Sequence, residues 1–111
     1  MTNQEALDTL QDYSKQIKKL CEEIELAGDT DFLRERYDQI KLSLEQFVFP
    51  LRVSSRLNKA PEVVQYFVFP ALNEALLEFT FPKGSRLTPE LLQQLYSADG
   101  QLEYWLHQLR V

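Results

Sequence analysis

Apolar side chains recur on a seven-residue repeat over the first 28 residues, and this repeat constrains the fold more than any other feature. Leu10, Ile17 and Ile24 hold one position. Ala6, Tyr13, Leu20 and Ala27 hold the other, and Leu7 and Cys21 widen the seam. That spacing puts one apolar stripe along one helix face. Thr2 and Glu5 have the separation of a reciprocal capping box, and Gly28 marks the end. A helix of about 24 residues is roughly 36 Å long. Its opposite face is polar, carrying Asp8, Gln11, Asp12, Lys15, Lys18, Lys19, Glu22 and Glu25. The stripe has to be covered. Packing within the chain is the simplest cover, and a two-chain seam, hence a homodimer, is the other.

With 111 residues the chain supports one domain, residues 1–111, and one core. A hydrophobic content of 44% and a charged content of 26% predict a folded chain. Asp29 or Thr30 caps a second helix, in which Leu33, Tyr37, Ile40, Leu44 and Phe47 repeat at helical spacing. Pro50 ends or kinks it, because proline has no N–H and its ring meets the carbonyl of Gln46.

Two tetrapeptides are identical, Phe47-Val48-Phe49-Pro50 and Phe67-Val68-Phe69-Pro70, and Phe79-Thr80-Phe81-Pro82 is a weaker third copy. Ser54–Pro61 between the first two is the best turn candidate. A reversal there sets the copies side by side in a helical hairpin whose prolines disturb one level. Phenylalanines two apart point about 200° apart on a helix. Either the hairpin is buried on both sides, or one aromatic face is exposed for recognition. Thr88, Pro89 and Glu90 start the last helix, along which Leu91, Leu95, Ala98, Leu102, Trp105 and Leu109 form the stripe. Asp99-Gly100 is a weak point within it, and Tyr104 lies off the stripe.

The fold class expected is therefore all-α: a small four-helix bundle-like domain with a Pro-kinked central hairpin. Its helices cover approximately residues 3–27, 31–49, 61–79 and 89–110. The runner-up is α+β, with short central strands at 46–53, 63–69 and 76–81, which are rich in Val, Phe and Tyr.

Composition narrows the function classes. One cysteine forms no internal disulfide, one histidine builds no clustered metal site, and three glycines make no phosphate loop. No cofactor, metal or catalytic residue is expected, and the chain is read as no enzyme. No apolar run approaches the roughly 20 residues of a bilayer span, so no membrane role is expected. The start, MTNQEALD, has no signal-peptide pattern, which predicts a cytoplasmic protein.

Net charge is −5, unevenly placed. Residues 1–31 hold three basic and eight acidic side chains, residues 32–60 six and three, and residues 61–111 three and six. Arg52, Arg56 and Lys59 stand at helical spacing and predict a short basic stripe near the hairpin tip. The expected function is a small non-catalytic interaction module: an adaptor, an inhibitor or immunity-type protein, or a chaperone-like binder. Phe49, Phe69 and Tyr104 would supply apolar anchors, and Arg52, Arg56 and Lys59 would orient an acidic protein partner. The alternative is a nucleic-acid-associated accessory protein using the same three cations. Three cations are few for phosphate recognition, so nucleic acid ranks second.

Overall fold

The computed structural model describes all residues, Met1–Val111. Helix α1 covers Asn3–Ala27 and opens with the reciprocal capping box, Thr2 accepting from the Glu5 N–H and Glu5 from the Thr2 N–H. Gly28 turns the chain at φ 74°, a left-handed value that favours glycine. Helix α2 covers Asp31–Leu51, with Thr30 as its cap, accepting from the Leu33 N–H. Asp29 instead accepts from Arg34 and from the Leu87 N–H, tying the first connection to the start of the last helix.

Pro50 lies inside α2, and the helix runs one residue past it. Only the last turn loses a bond, and exposed Gln46 leaves its carbonyl within reach of water. A short helix α3, Ser54–Leu57, occupies the reversal. The chain then returns through a π-helical turn, Val64–Val68, continuous with α4, Phe69–Leu77. The Phe69 N–H reaches back five residues to the Val64 carbonyl. Pro70 follows directly. Widening the preceding turn takes up the misfit that its ring would force on the Tyr66 carbonyl. The second copy thus neither breaks nor sharply stops its helix.

Helix α5, Pro89–Arg110, starts at Thr88, which accepts from the Leu91 N–H. It does not loosen at Asp99-Gly100. Asp99 accepts from Ser14 at 2.5 Å and faces Lys18 at 3.6 Å, which binds this part of α5 to α1. Ser14 is the one buried polar residue.

Helix α1 packs on α5, α5 on α4, α4 on α2, and α2 on α1. The π turn sits against α1 and α5. The result is a mostly helical, strand-free domain of 41 × 28 × 18 Å, the shortest axis being about two helix diameters. Central strands do not form. Residues 46–51, 62–69 and 76–77 are helical, because their Val and Phe side chains serve a helix-packed core.

The duplicated motif is resolved by the residue between its phenylalanines. Val48 and Val68 are each 0% exposed and point into the same core. Phe47, Phe67 and Phe69 flank that core, half-buried, while Phe49 remains 46% exposed. A valine-centred face with phenylalanine shoulders removes the choice between burial on both sides and one open aromatic face. The α1 seam is likewise closed within the chain, with Ala6, Leu10, Ile17 and Leu20 at 0% exposure, so it offers no two-chain interface.

Candidate interaction surface

Where α2 ends, Arg52 keeps helical angles and Val53 turns extended, with φ −81° and ψ 115°. Helix α3 begins again from the Val53 carbonyl, which accepts from Arg56 and Leu57 at 2.9 and 3.0 Å. Lys59 lies in the turn that follows, its N–H bonded to the Arg56 carbonyl. The three cations therefore do not share one helix face, as their spacing suggests. They cluster along a bent connector at one end of α2, because Val53 interrupts the helix.

Arg52 is held on two sides. Its Nε donates to Asn73 Oδ1 at 3.0 Å, and its guanidinium lies 4.9 Å from the centre of the Phe49 ring. Arg52, Arg56 and Lys59 are all exposed, and none of them takes part in an ion pair. The ion pairs join Lys18 to Asp99 and Glu103, Arg34 to Asp29 and Asp31, and Arg36 to Glu23. Val53, 50% exposed, adds apolar surface in the connector.

Phe69 does not join this surface as an exposed anchor. It packs half-buried against the core at the start of α4. Tyr104 is 55% exposed and meets Trp105 edge-on at 5.4 Å. Trp105 in turn meets Phe67 at 6.4 Å and donates its Nε1 to Glu74 at 2.8 Å. The structure thus brings Phe49 and Arg52 together. Tyr104 belongs to a separate cluster linking α5, α4 and the π turn.

The remaining chemistry-bearing groups are subdued. Burial pushes the Cys21 thiol up to about 12, far from a reactive thiolate. The hydrogen bond to Glu25 holds Tyr96 protonated, up to about 12. Burial does the same for Tyr37, whose hydroxyl accepts from the Phe81 N–H. No three His, Cys, Asp or Glu side chains converge as a metal-binding group, and no helix is long and apolar enough to cross a membrane.

Apolar periodicity overlooks a groove of about 630 Å³ along the outer face of α2, walled by Lys83 and Gly84. Interleaved with Arg34 and Lys41, the residues Asp31, Glu35, Asp38, Leu42 and Glu45 line it. Their alternating four- and three-residue spacing was a usable signal, in polar rather than apolar residues. No family model, curated protein or solved structure matches the chain.

Proposed function

We propose that the chain is a non-catalytic helical interaction module, a four-helix bundle scaffold that docks through its α2–α3 connector onto an acidic protein surface. Phe49 and Val53 are the apolar contacts, and Arg52, Arg56 and Lys59 orient the partner. Tyr104 and its Trp105 neighbour form a second, subsidiary contact, while Phe69 packs against the core. An adaptor, inhibitor or chaperone-like role is served by such a surface.

One observation carries this reading: three exposed cations without carboxylate partners stand in an acidic chain, one of them stacked on a half-exposed phenylalanine. No acidic residue lies between Pro50 and Pro61, so this end is basic by its local composition. Affinity capture of the intact protein from its own cells tests it, run beside Arg52→Ala/Arg56→Ala and Phe49→Ser with folding confirmed. A protein partner lost with both variants supports docking at the connector. Partners retained by both variants overturn it. Recovery of nucleic acid that dissociates steeply with salt, whatever its sequence, would replace it with the accessory role.

A further inference from the structure

We propose that Arg52 is a preformed receptor for one carboxylate side chain of the partner, with Asn73 as the residue that positions it. This rests on the docking reading of the connector and names the contact that carries it.

Arg52 caps α2 with helical angles, and its N–H returns to the Phe49 carbonyl at 3.2 Å. That three-residue step lays its side chain beside Phe49, with the guanidinium 4.9 Å from the ring centre. From α4, Asn73 Oδ1 accepts the Arg52 Nε–H at 3.0 Å. Phe49 thus holds the guanidinium from one face and Asn73 from one edge. A guanidinium carries five N–H donors in one plane. Asn73 takes the one on the side edge. The end edge, Nη1 with Nη2, keeps two parallel N–H groups, and neither nitrogen has a partner within the chain. That edge matches the two oxygens of a carboxylate.

Exposed ion pairs are ordinarily weak, in part because long side chains have to be ordered to form them. Arg52 is ordered before a partner arrives. The side chains of Arg56 and Lys59 make no hydrogen bond or ion pair within the chain, so they supply charge while Arg52 supplies geometry. The chain holds its own example of the finished contact, in which Arg34 grips Asp29 with Nε on Oδ1 and Nη2 on Oδ2. A phosphate calls for several converging donors, and only one cation of this surface is fixed. Phe49, 46% exposed, and Val53, 50% exposed, flank the fork with apolar surface. The fitted segment therefore carries an apolar residue beside its acid.

An acetylated and amidated hexapeptide alternating glutamate and leucine is the probe, titrated to about 10 mM into the isotope-labelled full chain. NMR reads affinity from the backbone resonances of the connector and follows the Arg52 Nε–H, identified by its loss in Arg52→Lys. The expected result is a saturable shift of both, absent with the glutamine counterpart of the peptide. Arg52→Lys keeps the charge without the fork and should weaken binding about three- to fivefold, whereas Arg56→Lys should leave it unchanged. Asn73→Ala should weaken binding by a similar factor and speed solvent exchange of the Arg52 Nε–H, with the remaining backbone resonances unmoved. If the two lysine variants act alike, or Asn73→Ala binds as the parent does, the fork is overturned and docking at the connector stands on charge alone. Inorganic phosphate that displaces the peptide at equal concentration overturns the carboxylate assignment. Connector resonances that stay still overturn the fork, and the docking reading falls with it only if capture is also unchanged by Arg52→Ala/Arg56→Ala.

Discussion

Asp29 holds more of the molecule than its place in a three-residue connection suggests. It accepts from Arg34 at 2.7 Å and from the Leu87 N–H at 3.1 Å, joining the α1–α2 turn to the entrance of α5. The Arg34 guanidinium holds its carboxyl down to about 2, from an ordinary 3.8. A carboxylate with a depressed folded-state value stabilises the fold above its unfolded value, and the contribution fades as pH falls through the folded one. Urea denaturation of Asp29→Asn should therefore show lower stability than the parent at neutral pH. The difference should close between about pH 4 and pH 2. Gly100 is the opposite case. It is helical and exposed, and a methyl group added at its Cα would meet nothing within 4 Å. Gly100→Ala should raise unfolding free energy by about 0.5–1 kcal/mol, read from the denaturant midpoint.

Within elements, the duplicated tetrapeptide shows how a side chain's role follows from its angle around a helix. Val48 and Val68 point straight into the core, while the phenylalanines stand about 100° to either side. Val48→Ala and Val68→Ala should each cost about 2–3 kcal/mol, whereas Phe49→Ala should cost less than about 1 kcal/mol. Thermal or urea unfolding of the three variants checks the order. Equal losses at Val48 and Phe49 would contradict the packing described. The π turn explains why two identical tetrapeptides behave differently. Pro50 falls where α2 is about to end, while Pro70 has nearly two further turns of helix after it, to Leu77. Only the second proline needs a widened turn before it.

Across the whole molecule, helical, strand-free character was legible because the repeats of α1 and α5 are long and strictly spaced. Their packing was not, since Ser14 meets Asp99 and Glu103 at separations of 85 and 89 residues. No local pattern records such a pairing. Reading only the phenylalanines of each tetrapeptide hid the valine between them, and with it the burial of Phe69. Arg52, Arg56 and Lys59 were legible as a cluster of charge, but the extended backbone at Val53 that bends the cluster was not. The outer face of α2 was equally present in the residue order. It becomes meaningful only once the packing shows which face is left uncovered.

The charges at the two ends of α2 act on the helix itself. Asp31 in its first turn and Arg52 at its cap offset the partial charges of its own peptide dipoles. Both charges therefore favour the helical state of this segment over the unfolded chain. Inverting Asp31 and Arg52 together removes this support while leaving the net charge unchanged. Urea denaturation of the inverted chain should show an unfolding free energy lower by about 1 kcal/mol.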